Sequence, residues 1–298
     1  MKLLVVIVTY NAMKWAERCF DSLRKSTLRP DVFVVDNGST DGTQCYIQEH
    51  YPEVIFRQSE KNLGFGKANN IGLQYALDNE FDFIYLLNQD AWVMNDTFEK
   101  LTAISKRNTS FGILSPFQMN ADLKHIDGNF VANVLSWKSN PSIVNDMYNQ
   151  DYKEVYEVQE VMAAHWFMTR DCVTRIGGFS PSFPHYSEDF NYIDRLRFAG
   201  LKVGVVPSLR VVHDRGGREN SIEKQLYMMY TGYIRTLSNP MDKVGKSLLI
   251  VLYVALKGSI EFKSARPLMN FLKVLFNIRH ILTNRRISKN IGTAFLAI

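Results

Sequence analysis

The sequence predicts an α/β protein with a mostly parallel central sheet, followed by a helical appendage at the C-terminal end. Three observations carry that expectation. Short apolar runs rich in Val, Ile and Phe alternate with stretches of helical spacing, the pattern of βαβ units. Polar clusters recur where those runs stop, at Thr9-Tyr10-Asn11, Asp36-Asn37 and Asn88-Gln89-Asp90, and the carboxyl edge of an open α/β sheet is where ligands bind. The composition, 46% hydrophobic and 22% charged over 298 residues, suits a globular chain with a sizeable core rather than a disordered one.

Leu3 to Thr9 is the first strand, because polar Thr9 and Asn11 interrupt the apolar run and no small-residue cleavage pattern follows it. No signal peptide is expected. Trp15, Cys19, Phe20 and Leu23 then recur at helical spacing, and Pro30 closes the connection. Val32 to Val35 is the second strand, running into the turn Asp36-Asn37-Gly38-Ser39-Thr40-Asp41-Gly42. Val54 to Arg57 is a third, and a helix starting near Gly66 carries Ala68, Ile71, Leu73 and Tyr75. Phe83 to Leu87 is the fourth strand and ends in Asn88-Gln89-Asp90.

Gly112 to Ser115 reads as a further strand, and Gln118 to Tyr156 as an irregular stretch suited to covering a substrate. Val158 to Met168 resumes an apolar strand, and Gly177-Gly178 ends a short helix. Ser187 is placed as the cap of a helix that begins Glu188-Asp189 and runs to Ala199-Gly200. Val203 to Val206 and Leu209 to Val212 are strand-like. Beyond about Glu219 the pattern is helical throughout, which divides the chain into a catalytic unit, 1–218, and an appendage, 219–298, with a break in composition near Asn239-Pro240.

Cys19, Cys45 and Cys172 are odd in number and widely spaced, with no CxxC pair, so a reducing cytosol is the expected setting. The net charge of +5 is unevenly spread. From Met241 onward ten Lys or Arg stand against Asp242 and Glu261, a net +8 that leaves the first 240 residues at −3. A basic appendage of that kind meets something acidic.

Asp90 at the end of a buried strand is a carboxylate able to bind Mg²⁺ or Mn²⁺, which in turn bind phosphate oxygens. Taken singly it is also an ordinary turn residue. Thr9, Tyr10, Asn11, Asp36 and Ser39 offer an aromatic ring, hydroxyls and a carboxylate to a base such as uracil. The run Asn62 to Asn69 resembles a glycine-rich phosphate loop, but Asn69 stands where the dinucleotide fingerprint has its third glycine, and the run follows the third strand rather than the first. A dehydrogenase is thereby disfavoured. The run reads instead as a helix start whose amides, with Lys67, approach a nucleotide.

In their order along the chain these blocks resemble the family-2 glycosyltransferases of the GT-A fold. The blocks are Val6 to Asn11, Val34 to Thr43, Asn62 to Asn69, Leu86 to Asp90, and the late set Gly177-Gly178-Phe179, Glu188-Asp189, Arg195 and Val212-His213. The resemblance covers roughly residues 3 to 217 and omits the tail. It implies a three-layer α/β/α core and inverting transfer in one displacement. Thr9, Tyr10, Asn11, Asp36, Ser39, Asn62, Gly64, Lys67 and Asn69 are then expected at the nucleotide-sugar donor, with Asn88 and Gln89. The family's DxD metal motif falls on Asn88-Gln89-Asp90, so the resemblance implies Asp90 and His213 as ligands of Mn²⁺ or Mg²⁺ and Asp189 as catalytic base. Glu188 and Trp166 are placed on the acceptor side, and the Asn-Gln-Asp form of the motif points toward rhamnosyltransferase-like relatives. No QxxRW motif of processive members is visible, which favours single addition in polysaccharide or glycolipid assembly.

Within the tail, the apolar run Ser247 to Leu256 is too short for a bilayer, which needs about 20 residues. Leu268, Phe271, Leu272, Leu275, Phe276 and Ile278 alternate with Lys273 and Arg279 as on a basic amphipathic helix, a form suited to an anionic membrane surface. Packing on the catalytic unit, or on a second subunit as a homodimer, stays open beside that reading. Nucleic acid is disfavoured by the tail's apolar content. A nucleotidyltransferase lacks a basic activating loop near Thr9-Tyr10-Asn11, and a catalytically silent nucleotide-sugar-binding protein has only Asn88 in its favour. The expected partners are thus a nucleotide-sugar donor and a saccharide or lipid-linked acceptor, met in the cytoplasm on the inner face of the membrane.

Overall fold

The computed structural model describes residues 1–136, 139–216 and 221–296. Its first half runs β1 (Leu3–Thr9), α1 (Ala16–Arg24), β2 (Asp31–Asp36), α2 (Thr43–His50), β3 (Ile55–Gln58), α3 (Phe65–Asp78), β4 (Phe83–Asn88), β5 (Ala91–Trp92) and α4 (Thr97–Arg107). There follow β6 (Phe111–Met119), a short α5 (Gly128–Phe130) extended by a π-helical turn, α6 (Pro141–Asn149), β7 (Tyr156–Glu157), β8 (His165–Thr169), α7 (Arg170–Ile176), α8 (Glu188–Phe198) and β9 (Lys202–His213). Four more helices complete it: α9 (Ile222–Ser238), α10 (Val244–Glu261), α11 (Arg266–Phe276) and α12 (Ile278–Ile287).

The strands form one sheet in the order β3-β2-β1-β4-β8-β6-β9-β5, with β7 also on β9. The first four are parallel, as are β6 and β9, while β8 runs antiparallel to both β4 and β6. The mostly parallel expectation therefore holds, with one reversed strand inside the sheet. Alternation along β1 sends Leu4 and Val6 to one face and Leu3, Val5 and Ile7 to the other. Leu73 of α3, Val173 of α7 and Leu196 of α8 cover the first face, whereas Phe20 of α1, Ile47 of α2 and Leu101 of α4 cover the second. Both faces are dry, and three layers result. At Gly72 the contact between α3 and β1 is so close that a Cβ would stand 2.3 Å from Val6 Cγ1.

Four boundaries differ from the sequence reading. The strand expected over Gly112 to Ser115 extends to Met119, with a register shift at Pro116/Phe117, because Pro116 has no N–H for the ladder. The two short strands after Val203 are one, β9, bulged opposite that shift. Of the apolar run from Val158 only His165–Thr169 is strand. The preceding residues are buried loop, anchored where Val158 N–H donates to Val203 O at 3.1 Å. The stretch expected to be irregular includes α6, capped by the Asn140 side chain.

The boundary expected at 218/219 lies outside the described residues, but the helical appendage begins by α9. Its helices share a core of their own, formed by Tyr233, Ile234, Leu237, Val251, Ala255, Phe271, Val274 and Ile281, into which Phe183 of the catalytic unit inserts. Arg235 pairs with Asp194 at 2.8 Å and with Glu160 at 2.5 Å. Asn284 donates to Ser182 Oγ at 2.8 Å, and Gly178 N–H donates to Ala294 O at 2.8 Å. The tail thus packs on the catalytic unit, and no helix among the described residues is long and apolar enough to cross a membrane.

Asp194 is 4% exposed, so removing its cation strands a buried charge. Arg235→Met should lower unfolding stability by about 3 kcal/mol, the lower end for a broken buried pair because the arginine retains some access to solvent. Urea denaturation checks this. Unchanged stability would show that the pair does not secure the appendage.

Candidate active site

Parallel pairing places Val8 beside both Val35 and Asn88, and Thr9 beside Asp36. The three polar strand ends therefore meet on one edge, as their positions in the sequence imply. Asp36 is fully buried, and its two oxygens accept from Thr9 Oγ1 (2.9 Å), Ser39 Oγ (2.6 Å), Ser39 N (2.9 Å), Gly38 N (3.2 Å) and Gln44 Nε2 (2.9 Å). A carboxylate offers about four lone-pair sites, so Asp36 is filled by its own turn. It shapes the turn and does not present a free carboxylate to a base, a correction to the sequence expectation. Thr9 and Ser39 are likewise committed to the turn.

Gln89 plays a similar part, since its Oε1 accepts from Tyr10 N at 2.6 Å and its Nε2 donates to Tyr10 O at 3.1 Å. This paired contact ties the end of β1 to the end of β4 and leaves the Tyr10 ring 47% exposed. Asn11, in the left-handed region at φ 51°, accepts from Thr40 N at 2.8 Å.

Asn62 Oδ1 accepts from Asn37 Nδ2 at 2.9 Å and from Gly64 N at 2.8 Å, holding the loop that opens α3 against the β2 turn. Gly64 has φ 81°, and a Cβ there would meet Pro184 O at 2.6 Å, so only glycine fits this crossing of two loops. Lys67 is exposed in the first turn of α3. Asn69 instead turns back on its helix, donating to Phe65 O at 3.0 Å from a buried position.

At the other end of the edge, Ala91 pairs with His213, which brings Asp90 Oδ1 within 3.4 Å of His213 Nε2. Both side chains are buried, and Asn88 Nδ2 lies 3.4 Å from the same imidazole nitrogen. Burial lowers the His213 pKa, favouring the neutral ring. Arg215 Nε donates to His213 Nδ1 at 3.1 Å and stands 3.6 Å from buried Asp127. Asp127 caps α5, its carboxylate accepting from Phe130 N at 2.8 Å.

Glu188 and Asp189 open α8 beside this edge. A Cβ on Gly66 would lie 3.9 Å from Glu188 Cγ, which sets Glu188 against the donor loop. Two adjacent carboxyls, Glu188 buried and Asp189 partly exposed, cannot both ionise cheaply. Burial, then the neighbouring Asp189, pushes the Glu188 carboxyl up to about 8. Burial also raises Asp189, but the Phe190 and Ala163 amides and the charges of Arg235 and Arg215 oppose that shift. Glu188 Oε2 has no hydrogen-bond partner among the described residues. Both carboxyls are thus raised, and Asp189 is the one whose oxygens accept from the Phe190 and Ala163 amides, at 2.9 and 3.4 Å. Arg215 acts on both His213 and Asp189, which ties the Asp90–His213 pair to the carboxyl pair.

Two expectations fail here. Ser187 does not cap α8: it sits at φ 67°, and its Oγ lies 3.1 Å from Thr231 Oγ1 of α9. Trp166 is not on the acceptor side. It is fully buried, stacked on Phe179 at 6.1 Å, with its indole N–H donating to Val161 O at 3.2 Å. As a β8 residue pointing into the first face of the sheet, it supports α8 from behind. Arg215, Asp127 and Arg235 were not legible, because each acts on a residue distant in sequence.

The sequence model of glycosyl transferase family 2 matches residues 4–158. The chain belongs to that family. N-acetylglucosaminyl-diphospho-decaprenol L-rhamnosyltransferase of Mycobacterium tuberculosis is 30% identical over 234 residues, 71% of this chain and 75% of that protein. Chondroitin synthase of Escherichia coli is 31% identical over 248 residues, which span 81% of this chain and 33% of the synthase. Among solved structures, S. aureus TarS 1–349 in complex with UDP-GlcNAc matches with a TM-score of 0.58 at 14% identity, covering 97% of this chain and 84% of that one. That likeness establishes the GT-A fold. This family-2 protein is a glycosyltransferase, rhamnosyltransferase-like in sequence.

Proposed function

We propose that this chain is an inverting, metal-dependent transferase that moves a hexosyl or rhamnosyl group from a UDP- or dTDP-sugar to a hydroxyl of a lipid-linked saccharide during cell-surface polysaccharide assembly. The observation that carries the proposal is the adjacent carboxyl pair Glu188–Asp189 opening α8, with Asp189 accepting from the Phe190 and Ala163 amides at 2.9 and 3.4 Å, together with the buried Asp90–His213 pair. The mycobacterial relative, named for a decaprenol-linked acceptor and an L-rhamnosyl group, supports the acceptor class and the sugar.

An acceptor hydroxyl has a pKa far above 7, so its proton must leave as its oxygen bonds to the anomeric carbon. Asp189 takes that proton. The anomeric carbon's bond to the diphosphate breaks on the opposite face, and the electron pair departs with the nucleoside diphosphate. Tyr10, Asn11, Lys67 and the first amides of α3 face this donor, the amides and lysine toward phosphate. Asp36, Ser39, Asn62 and Gln89 hold the loops that present them.

Asp90 and His213 would hold a divalent cation between a carboxylate oxygen and imidazole Nε2, which lie 3.4 Å apart in a buried site; ligation through Nε2 puts the ring proton on Nδ1, so Arg215 would release its bond to that nitrogen. No group of three His, Cys, Asp or Glu converges among the described residues, so water and diphosphate oxygens would complete the coordination, as is usual for Mg²⁺. Bound there, Mn²⁺ or Mg²⁺ supplies Lewis-acid stabilisation of the leaving diphosphate.

The outward faces of α10 and α11 fit an anionic membrane surface. Leu249, Tyr253, Leu256 and Ile260 form one exposed stripe, and Met269, Leu272 and Phe276 another, with Phe276 90% exposed. Lys246, Lys257, Arg266 and Lys273 flank them. Apolar insertion edged by cations is how peripheral helices hold a bilayer. This attachment would set the enzyme at the cytoplasmic membrane face, where a lipid-linked acceptor is found.

Asp189→Asn keeps the shape but cannot accept a proton, so turnover should fall by about 10²–10⁴-fold with folding and donor affinity retained. In the unmodified enzyme the raised carboxyl pKa means turnover is lost on acidification, with an apparent pKa above the ordinary Asp value of about 3.9. Retained turnover in Asp189→Asn removes the base assignment. For the metal, calorimetry should show nucleoside diphosphate binding weakened by chelation and by Asp90→Ala, and equal affinity with and without Mn²⁺ or Mg²⁺ would count against the site. For the membrane, the full chain should co-sediment with phosphatidylglycerol-containing vesicles, less so as salt rises and much less after Leu249→Ser with Phe276→Ser. Self-association without vesicle binding would assign this face to a homodimer.

A further inference from the structure

The catalytic unit meets the appendage at a set of aromatic rings that the transfer chemistry does not use. His185 and Tyr186 stack at 4.0 Å between centroids, Tyr186 faces Tyr227 of α9 edge-on at 6.2 Å, and Tyr227 lies 6.3 Å from Tyr230. His185 is exposed and Tyr186 and Tyr227 are partly exposed, while Tyr230, also partly exposed, packs against the core of the appendage. The set adjoins the carboxyl pair, for His185 Nδ1 lies 3.9 Å from Glu188 Oε1.

Two further observations point to a ligand at this place. Tyr186 and Ser187 are consecutive non-glycine residues in the left-handed region, at φ 65° and 67°, a strained conformation that persists where the surroundings enforce it and clusters at ligand clamps. Glu188 is 5% exposed, and its Oε2 is without a hydrogen-bond partner among the described residues. A buried polar atom of that kind is normally satisfied, and this one stands beside the rings.

A pyranose has an apolar face of C–H bonds and a rim of hydroxyls. Half-exposed tyrosines suit the face, because each presents a broad apolar ring with a polar tip and makes weak C–H contacts, and a carboxyl at the edge suits a hydroxyl. We propose that Tyr186, Tyr227 and Tyr230 form the stacking platform for a sugar ring of the acceptor, and that Glu188 hydrogen-bonds one of its hydroxyls. The appendage then supplies part of the acceptor site, with Tyr227 and Tyr230 coming from α9. Glu188 then holds a spectator hydroxyl while Asp189 takes the proton of the reacting one. This inference rests on the transferase reading above.

The test uses the full chain and a panel of methyl hexosides and methyl N-acetylhexosaminides as soluble acceptor probes. On the unmodified protein, titration with the panel should shift the tyrosine ring NMR signals of Tyr227, assigned from Tyr227→Phe. Tyr227→Ala should weaken the binding glycoside at least tenfold while leaving calorimetric donor affinity within about twofold, and Tyr227→Phe should retain it, since stacking needs the ring and not the hydroxyl. The proposal is overturned if no glycoside moves those signals, if Ala binds as well as the native residue, or if Phe loses as much as Ala. Because the NMR titration is made on the unmodified chain, a misfolded Ala variant does not remove the test. Donor cleavage by the unmodified enzyme, followed as nucleoside diphosphate release, tests the transferase reading separately.

Discussion

The buried contact between Asp90 and His213 is the constraint around which the rest of the site is arranged. A carboxylate and an imidazole, both enclosed, would be costly to desolvate without each other. They meet because β5 is a two-residue strand paired antiparallel to the end of β9, so the chain must cross almost the whole sheet before the pair can form. The reversed strand β8, lying between β4 and β6, widens the sheet enough to carry β9 to that position. Arg215, two residues beyond His213, then links the pair to Asp127 on one side and to Asp189 on the other.

The donor edge follows a different logic, in which most of the polar residues are structural. Asp36, Gln89, Asn37 and Asn62 spend their hydrogen bonds on backbone groups and on one another. That commitment rigidifies three loops that would otherwise be mobile, and it leaves Tyr10, Asn11 and Lys67 exposed along the edge. Preorganisation of this kind lowers the ordering cost of binding a flexible diphosphate. The appendage extends the same principle to the acceptor side: Phe183, Ser182 and Ser187 are each held by α9 to α12, so the loop leading into Glu188 and Asp189 is fixed by helices that belong to no strand of the core.

How much could be read in advance depends on whether a residue acts locally. The apolar alternation of β1, the polar strand ends, the glycine at position 64 and the helix opening at Glu188 are all set by neighbours in sequence, and each was legible. Where tertiary context intervened, the reading failed. Trp166 looks like a ligand-binding aromatic until β8 turns it toward Phe179 and Tyr192. Ser187 looks like a helix cap until Thr231, 44 residues away, captures its hydroxyl. Asp36 looks like a free acceptor until five donors from its own turn and from β1 surround it.

The sequence by itself determined the α/β class, the family and the three strand ends that line the donor edge, because hydrophobic periodicity and strand-end chemistry are local and survive without knowledge of the partner segments. Tertiary structure alone decided which of those polar groups are spent inside the protein and which are left for a ligand. It also decided that Glu188 is buried beside Asp189, and that the rings of Tyr227 and Tyr230 from the appendage continue the His185–Tyr186 stack next to Glu188. The physical reason is that burial, desolvation and long-range hydrogen bonding depend on segments tens to hundreds of residues apart, and those distances close only when the sheet and the tail helices have packed.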